Sequence, residues 1–138
     1  MPFRIHVATL AATFLTCPAM AESPTTPQQQ TIERQIRAFQ SGRDDDAYSQ
    51  AAPNIRRFFP TLDSFMSMVR GGYRPVYNPE YWDYGTSEAL SDGMVRQEVL
   101  VTDETGRDWT ATYTLERQAD GSWKIAAVTL RQRTDLLM

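Results

Sequence analysis

Residues 107–117 read RDWTATYTLER. Apolar or aromatic side chains fall on alternate positions, Trp109, Ala111, Tyr113 and Leu115, with Thr110, Thr112, Thr114 and Glu116 between them. Period two marks a strand with one face in a core and the other in water, because successive side chains of a pleated chain point to opposite faces. A sheet solvated on one face is characteristically antiparallel. Reading outward toward the C-terminus, Ala119 to Gly121 is a hairpin turn, with glycine where φ must be positive. SWKIAAVTLRQ (residues 122–132) is then the closing strand. Strict alternation puts Trp123, Ile125 and Ala127 on one face and Ala126, Val128 and Leu130 on the other. Both faces are apolar, so this strand is expected to be central, or covered on its second side.

Toward the N-terminus the same logic continues. DETG (residues 103–106) is a turn, and residues 94–102 form a strand with Val95, Gln97, Val99 and Val101 on the inner face. Arg96, Glu98 and Thr102 take the outer one. Residues 81–90 read as an earlier strand, with turn signals at Gly85 and at Asp92-Gly93. Before it the period changes to helical. Ile32, Ile36 and Phe39 form one stripe, stopped by Ser41-Gly42. Asp44 is placed to cap a second helix, DDDAYSQAA, and Pro53 suits the first turn of a third. Thr61 caps a fourth, with Leu62, Phe65, Met66 and Val69 inward, and Gly71-Gly72 ends it.

Helices followed by a meandering sheet predict an α+β domain, N-terminal helices packed on a curved antiparallel sheet of about four strands. Three stretches carry a family likeness: residues 35–79, VRQEVLVTD (95–103) and WTATYTLERQADGSWKI (109–125). They resemble a family of small exported bacterial proteins known as domain of unknown function 4864, within the nuclear-transport-factor-2-like (NTF2-like, or cystatin-like) superfamily. The likeness spans residues 30–132 and is most specific in FMSMVRGGYRPVYNP (65–79). It implies the cone-shaped NTF2-like fold and an exported location. The family has no established activity, so it implies no mechanism.

The N-terminus predicts the compartment. Arg4 precedes the apolar run 7–17, and Ala19 and Ala21 form an A-x-A cleavage site, the pattern of a secretory signal peptide over residues 1–21. Its apolar core is too short for a transmembrane helix, which needs roughly 20 residues. Residues 22–30, polar with two prolines, are expected as a disordered leader to a single domain over 31–134. The exported form is expected to be periplasmic or secreted. Cleavage would remove the only cysteine, Cys17, and the only histidine, His6. What remains has no thiol nucleophile, no imidazole base and no soft metal ligand, which closes zinc hydrolase, Ser-His-Asp and Cys-His chemistries to it. Without Arg4 there are 13 basic against 17 acidic side chains, a net charge of −4. That balance disfavours nucleic acid as a partner.

The residues left for recognition are few. Gln97 is an amide on an inward apolar face and must find partners or line a pocket. Arg70, Tyr73, Arg74, Tyr77 and Trp82 form an arginine–aromatic cluster able to recognise an anionic, planar or peptide group. The plainer reading ends a helix at the glycines and uses Pro75 and Pro79 to keep an edge strand unpaired. Asp44 to Asp46 are read as helix-start acids. No catalytic residue, metal ligand or cofactor is assigned. The leading expectation is a non-catalytic module binding a small ligand or a protein, with its pocket between residues 70–84 and the inner sheet face. The alternatives are a cofactor-free isomerase or dehydratase with an inward carboxylate base beside a tyrosine donor, and a structural dimer formed through the outer face of the last strand.

Overall fold

In the computed structural model, which describes residues 25–134, the sheet keeps its strands in chain order and all antiparallel. These are β1 (Tyr81–Ser91), β2 (Met94–Thr102), β3 (Asp108–Arg117) and β4 (Trp123–Gln132). The expected signal peptide (residues 1–21), with Cys17 and His6, and residues 22–24 of the expected leader lie outside the described residues. On one face of the sheet lie α1 (Pro27–Gln40), α2 (Asp44–Ser49), α3 (Pro53–Phe58), α4 (Leu62–Gly72) and α5 (Arg74–Tyr77). This is the α+β arrangement that the sequence pattern predicts. None of the described helices is long and apolar enough to cross a membrane.

The alternation in β2 and β3 holds residue by residue. Val99, Val101, Ala111, Tyr113 and Leu115 are fully buried against Ile32 and Ile36 of α1. Each large aliphatic side chain so buried contributes about 1.5–3 kcal/mol relative to exposure. A second cluster lies on another side of α1, where Ala38 and Phe39 meet Ala47, Ala51, Phe65, Met66 and Val69. Helix α1 therefore buries a wider stripe than Ile32, Ile36 and Phe39 alone, because it touches both the sheet and the outer helices.

Four sequence expectations change. First, residues 27–30, expected in the leader, are helical. Thr26 Oγ1 accepts from the Gln29 amide and Gln29 Oε1 accepts from the Thr26 amide, both at 3.1 Å. With Pro27 at the first position, this reciprocal cap starts α1 inside the polar stretch. Second, α2 is capped by Arg43, which makes no side-chain cap bond, and Asp44 is its first helical residue. Asp44 to Asp46 still lie in the first turn, where acids favour the positive helix end.

Third, Gly71 and Gly72 do not adopt a left-handed conformation, and the chain passes through Tyr73 into α5. Pro75 sits in the first turn of that helix, where its missing N–H costs nothing, so it guards no edge strand.

Fourth, β4 is an edge strand, and its apolar character on both nominal faces has a local cause. Ile125 pairs with Leu115 and Ala127 pairs with Thr114, so Ala126 is an extra residue, a β-bulge. The insertion shifts the alternation by one. Trp123 and Ile125 thereby share the inner face with Val128 and Leu130, and all four join the core. The outer face is not an apolar surface, which removes the reason for expecting a dimer through it. The free edge is covered at Ile125, whose N–H donates to the Gln50 carbonyl and whose carbonyl accepts from the Ala52 N–H, each at 2.8 Å.

Candidate functional site

Between the outer helices and the β4 side of the sheet the two apolar clusters do not close completely. They leave a cavity of about 120 Å³. Its buried floor comes from Gln35 and Phe39 of α1, Ala51, Phe65 and Val69 of the helical layer, and Ile125 of β4. Half-buried Ile55, Phe59, Met68, Tyr73 and Val128, with exposed Ala127, form the outer wall, so the space opens beside β4. The small side chains of Ala51 and Ala127 stand where larger ones would fill the gap.

Local sequence places these walls. The bulge at Ala126 brings Ile125 and Val128 onto one face. Pro53 starts α3, whose Ile55 and the following Phe59 are four residues apart and share a face. Tyr48 Oη donates to the Phe59 carbonyl and anchors the end of α3. Thr61 caps α4 as the sequence predicts, through reciprocal bonds with Ser64, and so orients Phe65 and Val69.

Among the described residues the wall carries no Asp, Glu, Lys or Arg. Its polar side chains are Gln35 and Tyr73. Gln35 is 96% buried, and its Nε2 donates to the Ala47 carbonyl at 3.2 Å. The isomerase alternative requires an inward carboxylate beside a tyrosine, and the carboxyls of Asp103 and Asp120 instead lie below the ordinary range. Side-chain hydrogen-bond donors set both shifts: the Thr105 hydroxyl, then the Trp109 indole N–H, for Asp103, and the Ser122 hydroxyl for Asp120.

The structure keeps Arg70 beside Tyr77 but places most of the residues singled out from sequence away from the cavity. Only Tyr73 reaches the cavity. Arg70 is exposed, with its guanidinium 3.4 Å from Asp44 Oδ2 and 5.9 Å from the Tyr77 ring centroid. Tyr77 packs on Phe39, 5.7 Å between centroids, and Arg74 faces Glu104 at 3.8 Å. Trp82 stands edge-on to Tyr84 against the sheet core. The pocket is therefore not between residues 70–84 and the sheet; Tyr73 and Val76 are that segment's share of it.

Gln97 is fully buried away from the cavity. Its Nε2 faces the carbonyls of Glu98, Gly85 and Thr86 at 2.9, 3.2 and 3.5 Å, and its Oε1 accepts from Gln29 Nε2 at 3.2 Å. Gly85 and Thr86 form a bulge in β1 opposite Glu98, so the side chain satisfies backbone that the ladder leaves open. Gly85 is thus not a turn. A Cβ there would lie 3.3 Å from Glu98 Cβ, a tight contact to which Glu98 would have to yield by a few tenths of an ångström.

The residue that sequence reasoning passed over is Gln35. Its signal was positional, since residues 32, 35, 36 and 39 form one helical face and Gln35 is the polar member among three apolar ones.

A family model described as "Domain of unknown function (DUF4864)" matches residues 22–137. No curated protein matches the chain. Among solved structures, a 2.5 Å structure from Catenulispora acidiphila is similar at 18% identity, over 75% of this chain and 87% of that one, with a TM-score of 0.50. That likeness concerns the fold.

Proposed function

The chain belongs to the family described as Domain of unknown function (DUF4864), and from that premise we propose that this member is a non-catalytic module that holds a small apolar ligand between its helices and its sheet. The observation carrying this reading is the cavity. It is a recess of about 120 Å³ that opens beside β4 and is bounded almost wholly by aliphatic and aromatic side chains. A space of roughly 150 Å³ with such walls holds one benzene ring. The helix-on-sheet layout with an interior pocket also supports placement in the NTF2-like superfamily. Residues 1–21 support delivery through a secretory route, to the periplasm or beyond.

The test is direct binding of benzene-sized apolar molecules, read by titration calorimetry or by a ligand-dependent rise in Tm. Ala51 is buried in the cavity floor, and its backbone lies beside the Ile125 pairing. Ala51→Leu should fill the space and abolish binding while leaving the fold intact. Absence of binding by the wild type, or unchanged binding by Ala51→Leu, would count against the proposal.

A further inference from the structure

The cavity wall carries two polar side chains, the half-buried Tyr73 and the buried Gln35, and the buried one selects among ligands. The Gln35 carboxamide has a fixed orientation. Its Nε2 lies 3.2 Å from the Ala47 carbonyl oxygen, and a carbonyl can only accept, so the nitrogen must face Ala47. Oε1 is thereby turned away from Ala47, and it has no hydrogen-bond partner among the described residues. It is also not sealed in protein, because among the described residues Tyr113 Oη is the buried side-chain atom both closed off and unpaired. Gln35 is 4% exposed and is one of the residues lining the cavity, so the cavity is the open space available to Oε1.

An acceptor in an apolar recess is costly to leave unpaired and is satisfied by a single donor. Among the described residues the wall offers no charged side chain to balance a charged ligand, whose desolvation would go uncompensated. We propose that the cavity is a site for a neutral, one-ring-sized molecule with a single hydrogen-bond donor, a phenol or an alcohol of comparable size, whose O–H donates to Gln35 Oε1. This rests on the ligand-binding reading above and goes beyond it in naming the chemistry. Sites that hydrogen-bond a ligand hydroxyl discriminate against the analogue lacking it, because the site's own polar group is then stranded.

The probes are phenol and benzene, which differ by that hydroxyl, titrated against the full chain and against Gln35→Met. Methionine keeps the length and most of the volume of glutamine and deletes the carboxamide. The variant also loses the bond to Ala47, a loss common to both ligands that cancels in the ratio of their affinities. The expected result is a preference for phenol over benzene that falls about tenfold in Gln35→Met, the value of one hydrogen bond to a buried acceptor. If Gln35→Met does not fold, the side-chain amide resonances of Gln35 in the wild type give the same answer. Both rings shift them by ring current, and phenol should add a further shift that depends on its hydroxyl. An unchanged ratio, or amide resonances that respond equally to both molecules, overturns the inference while leaving the apolar cavity standing. Failure of the wild type to bind either molecule overturns both.

Discussion

Gln97 Nε2 lies 3.2 Å from the Gly85 carbonyl oxygen, joining a fully buried amide of β2 to the bulge of β1. Replacing it by leucine would leave the Gly85 and Thr86 carbonyls and the Gln29 amide without this partner. These bonds are part-buried, with Gly85 and Thr86 on exposed backbone that water can reach, so Gln97→Leu should lower unfolding stability by about 1 kcal/mol. Urea melts give the value. Because Gln97 does not line the cavity, affinity for benzene should not change. A variant of normal stability that binds poorly would show that the side chain serves the ligand instead.

Tyr113 presents the opposite case. Its ring is central to the core, but its hydroxyl is sealed and unpaired among the described residues, and burial pushes its ionisation well above the ordinary range. Tyr113→Phe removes the unmatched group and keeps the ring. Stability should stay the same or rise by up to about 1 kcal/mol, and a loss beyond that would reveal a partner for the hydroxyl.

Asp103 organises the β2–β3 turn. Its carboxylate accepts from the Thr105 hydroxyl (2.7 Å), the Trp109 indole N–H (2.8 Å) and the amides of Arg107 and Thr105. Led by the Thr105 bond, these contacts lower its pKa from 3.8 to about 2. A group depressed on folding contributes stability that is present above its unfolded value and is lost as pH falls toward its folded one. Stability should therefore decline between about pH 4 and pH 2, and Asp103→Asn should decline less steeply across that window. Asp120, also lowered by its turn, titrates in both proteins and cancels in the comparison. Parallel acid profiles for the two proteins would refute the assignment.

The start of α1 tests where the domain begins. Thr26→Ala removes one half of the reciprocal cap and should cost about 1 kcal/mol. A chain beginning at residue 31 loses the cap and the whole first turn, and should melt well below one beginning at residue 25. Equal melting temperatures would restore residues 22–30 as a leader.

Ala126 carries the register of β4. Deleting it would turn either the Trp123–Ile125 pair or the Val128–Leu130 pair outward, since a one-residue slip exchanges the two faces of a strand. The deletion should abolish cooperative unfolding, whereas Ala126→Ser should be tolerated, with thermal melts followed by circular dichroism as the measure.

The sequence by itself determined the order of helices before strands, the inward faces of β2 and β3, the hairpin turns and the cap at Thr61. Each depends on side chains a few residues apart, where a period of two or 3.6 is visible in one dimension. It also showed that Gln97 and the last strand were unusual. Tertiary structure decided what those anomalies meant. The bulges opposite Glu98 and at Ala126 are pairing defects between two strands, and neither strand's own periodicity records how many residues its partner places opposite. The same holds for the cavity. Arg70, Arg74, Tyr77 and Trp82 lie near one another in sequence, yet they contact Asp44, Glu104, Phe39 and Tyr84 respectively. Gln35, Ala51, Val69 and Val128 are scattered along the chain and share one wall. An unfilled space is a property of how layers pack, and no single segment contains it.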